Sequence, residues 1–207
     1  MKDTYRTISG ESEGIFKDKG SKFLSFAYPV EFVEDTKEII AGLKKQYHDA
    51  RHHCYAYRIG NENDSYRMND DGEPSGTAGK PIYGQILSNE LTNILIVVVR
   101  YFGGTLLGTS GLINAYRNAA TDAIGNAEIV TKTIEETLTL NFDYADINKV
   151  MRIFREEKLE QLNPVYDERC EISFKVRTSN TQRIKKRLET IPSLTVIKRI
   201  TKNDNSN

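Results

Sequence analysis

The chain has 207 residues, 38% of them hydrophobic and 28% charged, and its 29 Lys and Arg balance 29 Asp and Glu for a formal net charge of zero. This is the composition of a soluble globular protein, long enough for one large domain or two small ones. The neutral balance excludes a protein that coats nucleic acid by bulk charge.

In chain order, Tyr5–Ile8 and Gly14–Phe16 read as short strands and Lys22–Val30 as a stronger one, with aromatic residues at Phe23, Phe26 and Tyr28. Asp35 suits a helix N-cap, and Ile39, Ile40, Leu43 and Tyr47 follow at helical spacing. Cys54–Ile59 alternates as a half-buried strand, with Ser65–Met68 as its hairpin partner across Gly60–Asp64. Asn69–Gly79 is dense in turn formers and reads as a loop. A helix follows from Lys80 or Pro81 to about Leu87, since proline suits a first helical position. A buried strand, Ile94–Tyr101, leads into a glycine-rich turn and a helix from about Gly111 to Ile124.

The pattern restarts near Ile134. Leu138–Phe142, Pro164–Tyr166, Glu171–Val176 and Leu194–Ile200 read as strands, and Asp146–Leu159 and Thr181–Ile191 as helices. That β-α-β-β-α-β order is a ferredoxin-like split unit. The expected organisation is an N-terminal domain over 1–132, a ferredoxin-like domain over 133–201 and a disordered polar tail over 202–207. Residues 1–130 carry 14 Lys and Arg against 17 Asp and Glu, and residues 131–207 carry 15 against 12, so the two parts differ mildly in charge. The longest apolar run, Ile94–Val99, is far too short to span a bilayer, and Met1–Arg6 lacks the apolar core of a signal peptide. Cys54 and Cys170, far apart and outside any metal-binding spacing, read as reduced buried thiols. A cytoplasmic protein with no membrane partner is therefore expected.

The turn is the most informative stretch. Three glycines, Gly103, Gly104 and Gly108, fall within six positions, between Arg100 and Tyr101 on one side and Ser110 and Arg117 on the other. A glycine turn that opens a helix can present backbone N–H groups and a helix dipole to an anion. The run Gly103–Ser110 approaches a nucleotide-binding P-loop but has Thr109 where the lysine belongs, which argues against an NTPase. The competing reading is that the glycines only permit a tight turn.

In the Asn69–Gly79 loop, Asp70, Asp71 and Glu73 could hold Mg²⁺, and Ser75, Gly76 and Thr77 supply hydroxyls and a permissive backbone. The plain alternative is a solvated loop whose acids cap the next helix. All three histidines, His48, His52 and His53, lie within six residues. His52 or His53 as a polar contact in the cleft is favoured over a His/Cys nucleophilic pair with Cys54 or a metal cluster. Arg183, Lys185, Lys186 and Arg187, with Lys198 and Arg199, could form a phosphate-facing patch, the alternative being a solvated helix face. Tyr55, Tyr57, Tyr83, Tyr101 and Tyr116 could stack bases, but as packed sheet and helix residues they are more ordinary.

The segments His53-Cys54-Tyr55-Ala56-Tyr57-Arg58, Asp70–Gly79 and Arg100-Tyr101-Phe102-Gly103-Gly104-x-x-Leu107-Gly108 resemble the IMPACT/YigZ family over about residues 15–125. The remainder is similar to the small C-terminal domain of its bacterial members. The resemblance implies an α+β protein: an N-terminal ribosomal-protein/elongation-factor-like α+β domain followed by a ferredoxin-like βαββαβ domain. It further implies a role near translation, with RNA or the ribosome as partner and a translation factor or other protein as a second possibility. The eukaryotic relatives act through a kinase pathway, a role not carried over to this chain. No cofactor is expected. The expected anion or nucleic-acid site gathers Arg100, Tyr101, Gly103, Gly104, Gly108, Ser110 and Arg117, with His52, His53, Ser75, Gly76 and Thr77 across a cleft. The alternative is an enzyme acting on a small phosphorylated or nucleotide ligand, with a metal on Asp70, Asp71 and Glu73.

Overall fold

A computed structural model describes residues 3–60 and 65–198 of the chain. Two compact units emerge: Tyr5–Lys132, and Thr133 onward together with the first residues of the chain. The fold is α+β. The expected 202–207 tail and the tip of the expected hairpin at 61–64 lie outside the described residues. Among the described residues no helix is long and apolar enough to cross a membrane.

The N-terminal unit is built around β6, Ile94–Tyr101, whose first seven residues are buried. A strand rich in Ile and Val with no polar residue before Arg100 has no face to offer water, so it takes a central place. It pairs antiparallel with β3 (Ser21–Pro29) on one side and β4 (His52–Ile59) on the other. With β2 (Ser12–Asp18) and β5 (Ser65–Asn69) they form a five-stranded sheet in the order β2-β3-β6-β4-β5. Alternation along β6 sorts its side chains. Ile94, Ile96 and Val98 join a core with α2 (Gly79–Ser88) and α3 (Gly108–Gly125). Leu95, Val97 and Val99 join a second core on the opposite face with α1 (Val33–Gln46). β1 (Thr4–Ile8) and β7 (Ile129–Thr133) make a separate two-stranded sheet. The pattern in sequence did not suggest β7, whose residues Ile129, Val130 and Thr133 are only half-buried and show little alternation.

The C-terminal unit runs β8 (Glu135–Asp143), α4 (Ile147–Glu157), β9 (Leu162–Val165), β10 (Arg169–Arg177), α5 (Thr181–Leu188) and β11 (Thr195–Lys198). Its antiparallel sheet has the order β11-β8-β10-β9, the ferredoxin-like arrangement. Leu138, Leu140 and Phe142 of β8 and Cys170, Ile172 and Phe174 of β10 meet Val150, Phe154, Ile184 and Leu188 of the two helices. The expected phosphate-facing patch on α5 is largely spent: Arg183 pairs with Glu157 at 2.6 Å, and Arg187 pairs with both Glu156 and Glu157. Arg199 and the side chain of Lys198 lie outside the described residues.

A polar cluster beside the α3 amino end

The register of β4 against β6 places His52 opposite Arg100. Arg100 falls on the same side of β6 as Ile96 and Val98, facing α3, whereas Tyr101 falls on the other side and donates its hydroxyl to Asp49 at 2.8 Å. The same two-residue period separates His52 from His53. The structure therefore divides two pairs that adjacency in sequence had grouped: Arg100 and His52 lie on the α3 face, Tyr101 and His53 away from it.

Arg100 is only 6% exposed. Its Nη1 donates to Glu73 Oε1 at 2.6 Å, and its guanidinium carbon lies over the rings of Phe23 and Phe102, 5.4 and 5.7 Å from their centroids. The Tyr116 hydroxyl donates to the same Glu73 oxygen at 2.8 Å. Cys54 Sγ completes the cluster, 3.3 Å from the Tyr116 oxygen and 3.0 Å from the Asp70 carbonyl. Burial pushes the Cys54 thiol and the Tyr116 phenol well above their ordinary values, so both stay protonated. A fully buried neutral thiol is no nucleophile, which disposes of the His/Cys pair. Arg100 Nε has no hydrogen-bond partner.

The loop between β5 and α2 is pinned by its acids. Asp70 Oδ1 accepts the amides of Ala78 and Gly79 at 3.0 and 2.8 Å, and Oδ2 accepts that of Gly76 at 2.9 Å. Asp70 thus caps α2 from nine residues upstream of Gly79, placing negative charge at the positive end of the helix dipole. Asp71 Oδ2 accepts the His53 amide at 2.7 Å and Oδ1 accepts Lys44 Nζ at 3.0 Å. Burial alone would raise the Asp71 carboxyl, but the amide and Lys44 outweigh it and hold it below the usual carboxylate range. The three acids expected to share a metal therefore point to three separate sets of donors. Among the described residues no group of three His, Cys, Asp or Glu could hold a metal ion. Thr77 Oγ1 donates back to Pro74 within the loop at 2.6 Å, Gly76 turns the chain at φ 76°, and Ser75 is exposed.

His52 Nδ1 lies 2.9 Å from the Asp71 carbonyl oxygen. A carbonyl only accepts, so Nδ1 carries a proton, and in the neutral form of the ring the lone pair is then on Nε2. Nε2 is 3.9 Å from Glu73 Oε1. His53 is buried instead, and that burial, offset in part by Asp71, lowers its pKa and keeps it neutral.

The glycine turn has two structural causes. At Gly103 a Cβ would stand 1.9 Å from the Gly20 carbonyl carbon, so only glycine lets the turn cross the β2–β3 hairpin backbone. The Gly103 amide donates to Ser21 Oγ at 3.2 Å. Gly104 and Gly108 take φ of 87° and 69°, the left-handed region. Beyond them α3 opens with Leu107 as its N-cap and no side-chain cap, and Gly108, Thr109 and Ser110 are exposed. Among the described residues no side chain thus caps the first turn of this 18-residue helix, whose residues Gly108–Ser110 are exposed.

Beside this helix end lies a hollow of about 370 Å³. Its lining includes the polar residues Arg51, His52, Glu73 and Arg100, the apolar residues Phe102, Leu106 and Leu112, and Gly108 and Thr109 of the α3 terminus. Phe102 is 41% and Leu106 83% exposed, an apolar pair on a polar turn. Ser110, Gly103, Gly104 and the residues Ser75–Thr77 do not line it. Arg117 is exposed, bonded to Asn114 Oδ1 at 3.2 Å, and sits nine residues into the helix, about 13 Å along its axis from Gly108. Of the expected basic pair, one arginine is thus buried against Glu73 and the other is remote. Arg51, Phe102 and Leu106 had not been singled out. The one local signal was Leu106, a bare apolar residue between glycines.

These features define a two-unit α+β protein whose first unit carries a partly apolar hollow at the junction of a central strand and an uncapped helix. The family model of the Impact N-terminal domain matches residues 19–124. An IMPACT family member of Haemophilus influenzae is 37% identical over 147 residues, covering 70% of this chain and 71% of that protein. The IMPACT family member YvyE of Bacillus subtilis is 32% identical over 181 residues, covering 87% and 83%. A crystal structure of a protein described as hypothetical superposes with a TM-score of 0.73 at 26% identity, over 96% of this chain and 98% of that one. The chain belongs to the IMPACT family.

Proposed function

We propose that the protein binds RNA, free or on the ribosome, through the hollow beside α3, and acts in the regulation of translation. The observation that carries this reading is the uncapped α3 amino end at a hollow whose lining includes both Arg51 and an exposed Phe102. A phosphate suits the helix end and Arg51, and an unstacked base suits Phe102. This contact set differs from the one expected from sequence: Glu73 occupies Arg100, whose guanidinium now serves to hold the Phe102 ring. The N-terminal unit carries no bulk positive charge, so affinity rests on few phosphates. The salt slope should then be shallow, about −0.7 per phosphate contacted on a single strand.

Fluorescence anisotropy with a labelled single-stranded oligoribonucleotide, and cosedimentation with ribosomes over a salt series, test the proposal. Phe102→Ala should weaken binding by about 1–3 kcal/mol, the usual value of one base–aromatic stack. Arg51→Glu should weaken it and flatten the salt dependence, whereas Arg117→Glu should leave it unchanged. Wild-type affinity in both Arg51→Glu and Phe102→Ala would remove the hollow as the binding surface.

A further inference from the structure

Three facts at the inner wall of the hollow point past simple binding. The Asp71 carbonyl accepts from Nδ1 of His52, a residue lining the hollow, so the neutral form of its ring carries the lone pair on Nε2. Glu73, held by Arg100 and Tyr116, sets a carboxylate oxygen 3.9 Å from that nitrogen. Among the described residues around the hollow this base also has no partnered nucleophile: Cys54 is fully buried and already bonded, and Thr109, the one hydroxyl in the lining, has no hydrogen-bonded partner. A base without a nucleophile fits a substrate that brings its own, and a ribose 2′-hydroxyl next to a phosphodiester is such a group.

We infer that this site, if it holds RNA as proposed above, also cleaves it by metal-independent transesterification with His52 as the general base. His52 Nε2 takes the proton of the 2′-hydroxyl. The 2′ oxygen bonds to the adjacent phosphorus, and the P–O5′ bond breaks. Water protonates the departing 5′ oxygen, and the hydroxide left behind takes the proton back from the imidazolium. The products are a 2′,3′-cyclic phosphate and a 5′-hydroxyl end. Glu73 is a positioning residue whose charge stabilises the imidazolium. Arg51 and the first amides of α3 stand where the phosphorane gathers negative charge.

The test is incubation of the full chain with an end-labelled oligoribonucleotide in EDTA, with products read on a denaturing gel and by mass spectrometry. The expected result is a 2′,3′-cyclic phosphate end, and no cut at a position carrying a 2′-deoxyribose. His52→Ala should slow cleavage by about 100-fold or more, within the range for a general base, and added imidazole should restore part of the rate. Glu73→Gln, which keeps an acceptor for Arg100 and Tyr116, should lower the rate at saturating RNA by a larger factor than it raises the dissociation constant. RNA that is bound but left intact, or cut equally by His52→Ala without imidazole, overturns this inference and leaves the binding reading standing. RNA that is not bound at all overturns the binding reading itself.

Discussion

Glu73→Ala is the most informative single perturbation of the N-terminal unit. The side chain is 4% exposed, and its Oε1 accepts from both Arg100 Nη1 and the Tyr116 hydroxyl. Its removal strands an arginine whose side chain is 7% exposed and whose Nε already has no partner among the described residues. Breaking a buried ion pair from one side costs about 3–5 kcal/mol. The Phe23 and Phe102 rings beside the guanidinium return about 1–2 kcal/mol at most, and only what they do not already supply with Glu73 present. The orphaned Tyr116 hydroxyl adds about 1 kcal/mol. The expected loss is therefore about 3–5 kcal/mol, large against the stability of a domain of this size. Urea-dependent hydrogen exchange at the β6 amides reads it directly, without interference from the C-terminal unit. The double variant Glu73→Ala/Arg100→Met removes both charges and should regain most of the loss, because the stranded charge dominates it. A Glu73→Ala cost below about 1 kcal/mol, or a double variant no better than the single, would show that the pair is solvated and that this account of the cluster is wrong.

Three further outcomes follow from the same geometry. Asp70→Ala strips three amides at the α2 start of their acceptor and should cost about 1–2 kcal/mol, with early exchange at Gly76, Ala78 and Gly79 by NMR. Gly103→Ala should destabilise the unit more than Gly104→Ala in thermal unfolding: the first drives a Cβ into the Gly20 backbone, while the second has open space and meets only left-handed backbone strain of about 1 kcal/mol. Burial holds the folded pKa of His53 below its ordinary 6.5, so the unfolded chain binds the proton first. Stability is then fully present above pH 6.5 and falls as the pH drops below it. Asp71, with its depressed pKa, adds a second loss as the pH falls below its ordinary 3.8. His53→Gln should abolish the first of these two losses and leave the second in denaturation midpoints taken from pH 7.5 down to pH 3.

Much of the architecture was legible because it rests on local signals. The apolar run of β6, the turn formers before α2 and the restarted pattern after residue 134 all report on neighbours in the chain. The C-terminal sheet followed from the same kind of reading, since four amphipathic strands and two amphipathic helices in that order have few ways to bury one face. The site was less legible, and the reason is also physical. Its decisive contacts join residues far apart in sequence: Arg100 with Glu73, Gly103 with Gly20, Cys54 with Tyr116. Composition identifies Arg100 as a cation but says nothing of the carboxylate that neutralises it. Three glycines announce a turn but not that one of them is required by a hairpin 83 residues earlier.

One part of the misplacement was avoidable from sequence alone. Strand period puts successive side chains on opposite faces, so Arg100 and Tyr101 could not both face one hollow once Ile94–Tyr101 was read as a strand; His52 and His53 lay just before the expected strand Cys54–Ile59, and the structure extends it to include them. Applied to the pair registers, that rule selects His52 and Arg100 as the members facing α3. Glu73, reaching the same face from the loop before α2, then turns the arginine from a phosphate contact into the fixed support of a histidine and an aromatic ring. Among the described residues lining the hollow, Arg51 is the cation not paired with Glu73, and α3 has no side-chain cap. For the RNA binding proposed above, so little free positive charge beside an exposed ring would favour a single strand with its bases unstacked over a duplex gripped along its backbone.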